Sequence, residues 1–200
     1  MKTIRMRFAL AFAAACGLVV TTSGVAQTSE PQETGGTILS GFAGGAHASS
    51  ASGPAAGLGV GWEVTPRIAL EGQGRWFGAP MGETTFAASL AARYSLSVFD
   101  TATPYVSAGV GMFQATFDRG WRAAPAFYRD RVDSDVATGR RVFRDVLWSM
   151  GAGADLIVST HLALRPDVSL LIVTTRRDAR VVPVYGLHLA YYFVPRDRAN

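Results

Sequence analysis

Apolar and polar residues alternate along much of this chain with a period of two. In the stretch RIALEGQGRWF at 67–77, Ile68 and Leu70 fall on one face of an extended segment, and Glu71 and Arg75 fall on the other. A period of two indicates a β-strand, because successive side chains of a strand point to opposite faces. The stretch therefore predicts a strand with one apolar face and one polar face.

Eight segments of about ten residues follow this rule, which predicts eight strands. They are 37–48, 55–64, 67–77, 85–96, 104–117, 146–158, 161–173 and 182–193. The links near 65–66, 97–103 and 159–160 are short, and those near 49–54, 78–84, 118–145 and 174–181 are mostly longer. Alternating short turns and long loops are typical of an up-and-down barrel in a membrane.

The polar face carries mixed charges set among Gly, Ala and Ser. Its candidate luminal residues are Glu63, Glu71, Gln73, Arg75, Arg93, Asp155, Arg165, Asp167 and His188. A soluble barrel needs Leu, Ile and Phe on its inner face, and the pattern assigns those residues to the other face. Aromatic residues near the strand ends fit the girdles of a membrane barrel: Trp62, Trp76, Tyr94, Trp148, Tyr191 and Phe193.

We therefore predict an all-β fold, an eight-stranded antiparallel up-and-down transmembrane β-barrel with its polar face inside. A soluble periplasmic β-barrel, with the two faces exchanged, is the alternative fold. Because isolated charges in a narrow interior are costly, we expect Glu71 and Arg75 on one strand to pair across the lumen with charges on another. The partners are Arg165 and Asp167. Such pairs predict a structural polar core, and a proton or small-ion path is the alternative.

The first 26 residues have the design of a signal peptide. A basic start precedes an apolar run from Phe8 to about Val20, and small residues stand at Gly24 and Ala26. We predict cleavage after Ala26, then a polar linker at 27–36, the barrel domain at 37–193 and a polar tail at 194–200. Cleavage would remove three of the basic residues behind the net charge of +4, so the charge gives no argument for nucleic acid binding.

The chain resembles the small eight-stranded outer-membrane barrels of Gram-negative bacteria, the group of the opacity-type proteins and the OmpA-like transmembrane domain. The resemblance covers 37–193 and rests on GVGWEVTPRIALEG, YVSAGVGMF and the closing YGLHLAYYF. It implies an exported monomer in contact with outer-membrane lipid. It also implies that the barrel assembly machinery recognises the strand ending in Phe193. The tail VPRDRAN departs from the pattern, since many members end on the aromatic residue.

The link 118–145 is far longer than a hairpin needs and is rich in Arg, Asp and aromatic residues. Arginine side chains suit phosphate and carboxylate groups, which makes lipopolysaccharide contact a hypothesis for the outer loops. The candidate residues are Arg119, Arg122, Arg140, Arg141, Arg144, Arg176 and Arg177. The alternative is a solvated loop whose Arg and Asp side chains mostly satisfy each other.

The sequence carries little catalytic signal. His47-Ala48-Ser49 is similar to the His-x-Ser spacing of the lipid A deacylases, in which a serine nucleophile needs a histidine base. A lipid A-modifying barrel enzyme is therefore the alternative function. The three histidines lie in distant segments and the only cysteine is Cys16, so we expect no metal and no cofactor. We predict a non-catalytic outer-membrane protein that serves envelope structure, surface contact or adhesion through its loops.

Overall fold

The computed structural model describes residues 36–48, 51–78, 84–96, 101–117, 141–175 and 179–194. Of two compact units in the chain, Met1–Gln32 lies outside these residues and Glu33–Asn200 contains them all. The eight strands are β1 (Thr37–Ala48), β2 (Ala51–Thr65), β3 (Ile68–Phe77), β4 (Thr84–Ser95), β5 (Ala102–Phe117), β6 (Arg141–Ser159), β7 (Leu162–Thr174) and β8 (Ala179–Tyr192).

Each strand pairs in antiparallel fashion with the next, and β8 pairs with β1. The result is a closed barrel in the order β1 to β8, which confirms the predicted fold class. Links 66–67, 96–101 and 160–161 lie at one end, called here the turn end. The strand ends that border links 49–50, 78–83, 118–140 and 175–178 lie at the other, called here the loop end. No helix in the described ranges is long and apolar enough to cross a membrane.

Three strands begin at least three residues earlier than the alternation predicts. β2 begins at Ala51, β6 at Arg141 and β8 at Ala179, so the predicted links near 49–54, 118–145 and 174–181 are too long. The added residues include Ser, Gly, Arg and Asp, which disfavour a strand by type. Their backbones nevertheless pair with a neighbouring strand, because tertiary pairing outweighs a weak local preference.

Pro166 on β7 interrupts the hydrogen-bonded ladder to β6 without changing the register, so no β-bulge forms there. On the β8 side Pro166 stands opposite Leu187 in regular pairing. On the β6 side the paired residues pass from Gly153↔Asp167 to Leu156↔Leu164, with the two pairs between them missing. Proline has no N–H to donate, so the local cost is a gap in the ladder. The register shifts lie elsewhere, between Glu63 and Thr65 and between Ile157 and Ser159.

Large apolar side chains cover the outside of the barrel on all eight strands. Those at least two-fifths exposed include Leu39, Leu58, Trp62, Leu70, Trp76, Leu90, Val110, Trp148, Val168, Leu187 and Tyr191. Most charged residues on the same strands point inward and are buried, whereas Arg144 is exposed on the outward face; the buried ones are Glu71, Arg75, Arg93, Asp145, Asp155, Arg165 and Asp167. This distribution of polarity is the reverse of that in a soluble barrel.

The interior is polar over only part of its length, which corrects the expectation that bulky apolar residues all lie outside. Along β7 the inward residues run from Ala163 at the turn end through Arg165, Asp167 and Ser169 to Leu171 near the loop end. A buried apolar cluster therefore fills the loop-end half of the lumen: Phe42, Ala46, Ala48, Ala55, Phe77, Ala87, Phe113, Ala115, Phe117, Leu147, Leu171, Val173, Val182 and Val184. A smaller one lies towards the turn end: Ile38, Ala69, Ala163, Ala190 and Tyr192.

Two strand glycines, Gly41 in β1 and Gly186 in β8, differ in the space around them. A Cβ atom at inward-facing Gly186 would lie 2.5 Å from the carbonyl oxygen of Ala43 and 2.5 Å from Phe42 Cε2, whereas one at Gly41 would meet nothing within 4 Å. We expect Gly186→Ala to destabilise the barrel by about 1–3 kcal/mol through overpacking and Gly41→Ala to leave it unchanged or slightly more stable. Urea unfolding of the refolded barrel, followed by tryptophan fluorescence, measures both. Equal stability of the two variants would contradict the packing at the β1–β8 seam.

Candidate functional site

The register of the sheet brings the inward charges of β3, β4, β6 and β7 together. Small inward residues on neighbouring strands leave room for the long side chains. Gly57 stands beside Arg75, Gly61 beside Glu71, and Gly153 beside Tyr105. At Gly153 a Cβ atom would lie 2.6 Å from the Tyr105 hydroxyl, so the aromatic ring can occupy the lumen only because glycine faces it.

Glu71, Arg93, Asp155 and Arg165 form the first group of contacts, called here the charge cluster. Arg165 Nε donates to Asp155 Oδ1 at 2.6 Å, and its Nη1 donates to the two Glu71 oxygens at 3.0 and 3.2 Å. Arg93 Nη1 donates to Asp155 Oδ2 at 2.6 Å, and its Nε lies 3.1 Å from Glu71 Oε1. All four side chains are buried. Two guanidinium groups and two carboxylates therefore neutralise each other inside the barrel.

Two tyrosines complete the charge cluster, and the sequence analysis did not select them. The Tyr192 hydroxyl donates to Asp155 Oδ2 at 2.8 Å and accepts from Arg165 Nη2 at 3.2 Å. The Tyr105 ring lies under both guanidinium groups, with its centroid 5.3 Å from Cζ of Arg93 and 5.5 Å from Cζ of Arg165. This is a cation–π geometry. In the sequence, the signal that could have identified Tyr105 and Tyr192 was their position on the polar faces of β5 and β8.

Arg75, Asp167 and His188 form a second, looser group, called here the Arg75 group. Arg75 donates through Nη1 to Ser169 at 2.7 Å and through Nη2 to Gln73 Oε1 at 2.8 Å. Its Nη2 lies 3.9 Å from Asp167 Oδ2, and His188 Nε2 lies 3.4 Å from Asp167 Oδ1.

Two neighbours place the Arg75 group within the lumen. Gln73 also donates to Glu71 Oε2 at 3.2 Å and so joins the group to the charge cluster. The Phe42 ring packs on His188 with centroids 4.7 Å apart and lies 5.1 Å from Cζ of Arg75. The Arg75 group therefore lies between the charge cluster and the apolar filling of the loop end.

Seven of the nine predicted luminal residues belong to these two groups, and an eighth, Gln73, joins them. The ninth, Glu63, lies at the turn end of β2, where its backbone N–H donates to Gly36 at 3.0 Å. The charges of β3 and β7 do meet across the lumen: Glu71 contacts Arg165, and Arg75 approaches Asp167. Enclosed and paired, the charges form a polar core between two apolar layers. In the described ranges no set of three or more His, Cys, Asp or Glu could hold a metal ion.

Of the candidate surface arginines, Arg119, Arg122, Arg140, Arg176 and Arg177 lie outside the described residues. Arg141 is the first residue of β6. Arg144 follows on the outward face of the same strand, and its Nε donates to Gln114 Oε1 at 3.0 Å. This hydrogen bond occupies one edge of the guanidinium group.

The histidines outside the lumen have structural partners. Ser49 lies outside the described residues, and the serine that contacts His47 is Ser52, whose Oγ lies 2.7 Å from Nδ1 across the β1–β2 ladder. Within the described ranges no carboxylate contacts the His47 ring. His161 Nδ1 lies 2.8 Å from the carbonyl oxygen of Tyr192, and its ring stacks on Tyr191.

Comparison with known proteins gives structural matches but no sequence matches. No protein family and no curated protein matches the sequence. The N-terminal β-barrel domain of Pseudomonas aeruginosa OprF matches with a TM-score of 0.57 and 16% identity, covering 80% of this chain and 99% of that one. Neisserial surface protein A matches with a TM-score of 0.58 and 10% identity, covering 80% and 97%.

A third solved structure, Ail, the attachment invasion locus protein of Yersinia pestis, matches with a TM-score of 0.52 and 13% identity. The match covers 81% of this chain and 100% of that one. All three neighbours are eight-stranded outer-membrane β-barrels. The chain shares the fold of the small OmpA-like and opacity-type outer-membrane β-barrels.

Proposed function

We propose that this protein is a non-catalytic outer-membrane β-barrel that serves envelope structure and makes surface contacts at its loop end. The observation that carries the proposal is the inverted polarity: exposed Leu, Val, Trp and Tyr cover all eight strands, while Arg, Glu and Asp are buried inside. In water such a surface would be an extreme exposed apolar patch. In a bilayer it meets lipid, and the closed ladder leaves no unpaired sheet edge.

Strand length supports the same environment. β3 runs from Ile68 to Phe77 and contains 10 residues. At about 3.3 Å per residue and a tilt of about 45°, such a strand spans about 23 Å, close to the apolar band of about 25 Å in outer-membrane barrels. Trp62 and Tyr94 near the turn end, and Trp76 near the loop end, stand where aromatic girdles belong. In this proposal the predicted signal peptide serves export, and the last strand, which Phe193 directly follows, serves assembly.

The contents of the lumen argue against a diffusion pore. An eight-stranded barrel is only wide enough for its own side chains. Here the charge cluster is closed by direct contacts, and an apolar cluster containing Phe113 and Leu147 fills the loop-end half. The interior therefore acts as a structural core, and contact with other molecules is left to the surface and the loops.

Arg144 supplies the described part of a surface site for anionic lipid. It lies on the outward face between Val142 and Val146, both about half exposed. Because Gln114 accepts from Nε, the two terminal nitrogens of the guanidinium group remain directed away from this contact. A charge on the lipid face is tolerated near the membrane interface and costly at its centre, so Arg144 fits a position level with phosphate groups. With the neighbouring loop arginines it would contact lipopolysaccharide.

A lipid-modifying enzyme is the alternative, and the His47–Ser52 contact is the observation that favours it. A serine nucleophile needs a histidine within hydrogen-bonding distance and a third group to orient that histidine. The contact provides the first condition. Hydrolysis of lipid A by the purified barrel, lost in Ser52→Ala and in His47→Ala, would establish the enzyme in place of the non-catalytic function.

The membrane proposal predicts a heat-modifiable protein in the outer membrane. A closed barrel resists dodecyl sulfate until it is heated, because its backbone hydrogen bonds must break together. We expect the unheated protein from outer-membrane fractions to migrate differently from the boiled protein. A chain recovered from the soluble periplasm, with one mobility before and after boiling, would overturn the proposal and restore the soluble barrel.

The charge cluster predicts a large cost for removing its central residue. Arg165→Met would leave Glu71 and Asp155 to share one guanidinium group, and breaking a buried ion pair on one side costs about 3–5 kcal/mol. Arg67→Met is the matched control, because Arg67 is exposed in the β2–β3 turn. We expect the urea midpoint of unfolding to fall in Arg165→Met and to stay unchanged in Arg67→Met. Equal midpoints would show that the cluster contributes no stability.

The surface proposal predicts weaker lipopolysaccharide binding when the loop-end arginines are removed. We expect the triple variant Arg140→Ser, Arg141→Ser and Arg144→Ser to bind immobilised lipopolysaccharide several-fold more weakly at low salt, because each arginine contributes charge-assisted contacts to phosphate. Arg67→Ser, at the opposite end, is the control and should bind normally. Unchanged affinity of the triple variant would refute the surface site and leave membrane insertion untouched.

A further inference from the structure

The Arg75 group differs from the charge cluster in having several buried polar atoms without a hydrogen-bond partner. Asp167 Oδ1 accepts no hydrogen bond in the described structure: His188 Nε2 lies 3.4 Å from it, and Arg75 Nη2 lies 3.9 Å from Oδ2. Neither ring nitrogen of His188 has a hydrogen-bond partner there, and neither does Arg75 Nε. The three side chains are 7% (Arg75), 9% (Asp167) and 3% (His188) exposed. Buried polar groups without partners are rare and costly.

These unpartnered atoms surround a cavity. It has a volume of about 20 Å³ and is also lined by Ser89, Ser107, Ser149 and Tyr105. Its origin lies in the register, which sets Ser107 opposite Gly151 and Gly109 opposite Ser149 on β5 and β6. A run of such small inward residues cannot fill the lumen. Around Arg165, by contrast, long side chains come close enough for direct hydrogen bonds to Asp155, Glu71 and Tyr192.

We propose that this cavity is an internal water site, in which ordered water joins Asp167 to His188 and to Arg75 Nε. The volume suffices for about one water molecule, which needs two to four polar partners. The site offers the donor Arg75 Nε, the acceptor Asp167 Oδ1 and the ring of His188. Its serine hydroxyls can donate or accept a hydrogen bond. The site lies inside the barrel and does not depend on the surface contacts proposed above.

Charge balance selects water over an ion. Arg75, Arg93 and Arg165 in the two groups are matched by Glu71, Asp155 and Asp167. A bound cation or anion would leave an uncompensated charge in a narrow interior, which is strongly unfavourable. Water is neutral and can donate to the carboxylate while it accepts from Arg75, so it completes both groups without changing the charge.

The first test is a crystal structure of the refolded barrel that resolves ordered water. We expect density for water within about 2.7–3.2 Å of Asp167 Oδ1 and of Arg75 Nε or a His188 nitrogen. An empty cavity would overturn the proposal. So would direct hydrogen bonds from Arg75 or His188 to Asp167, or an ion in the cavity with the coordination distances of that ion.

The second test uses nuclear magnetic resonance of the barrel in detergent micelles, with an internal control. The Arg75 Nε–H should show magnetisation transfer from water, whereas the Arg165 Nε–H, bonded directly to Asp155 at 2.6 Å, should show none. Ser149→Val, which places an apolar side chain at the cavity wall and leaves Arg75 itself unchanged, should abolish the Arg75 signal. If Arg75 and Arg165 behave alike, or if Ser149→Val leaves the Arg75 signal intact, the water site is refuted.

Discussion

Pairing of β8 with β1 is the constraint on which the rest of this structure depends. With the ring closed, the ladder runs around the whole barrel, and each strand residue faces either the lumen or the surroundings. At the seam Phe42 stands opposite His188, and Gly44 opposite Gly186, so closure also decides what enters the lumen there. Since eight strands leave room only for side chains, the inward residues determine what the interior can do.

The polarity of the inward residues changes along the barrel axis. The polar residues that stabilise the interior therefore lie apart from the residues that make surface contacts. The charge cluster is neutral and directly bonded because Tyr105 and Tyr192 are large enough to complete it. The Arg75 group lies beside Ser107, Ser149 and glycines, whose small volume leaves polar atoms without direct partners. Beyond it Phe113, Leu147 and their neighbours pack into the loop-end half of the lumen, beside the buried side chain of Asp145. The same barrel therefore holds, in sequence along its axis, a directly paired ionic region, a cavity suited to water and a largely apolar region.

The outside surface explains why the polar interior is possible. Burial of charged groups is costly in any protein, and here the apolar residues that would fill a soluble core are needed on the outside. The proposed lipid environment accepts that surface, and the ion pairs reduce the cost of the interior. Arg144, held by Gln114 on the outward face, is the exception, and the proposed contact with anionic lipid accounts for it.

The sequence alone determined the number of strands, their alternating faces and most of the residues of the charged interior, because a period of two fixes the face of each side chain before any contact is known. It could not determine where β2, β6 and β8 begin, since pairing with a neighbour overrides local preference. It also could not show that apolar side chains pack into the loop-end lumen, or that Tyr192 bonds to Asp155 while Asp167 Oδ1 accepts no hydrogen bond. Those features depend on the register between strands distant in sequence, and only the closed barrel sets that register.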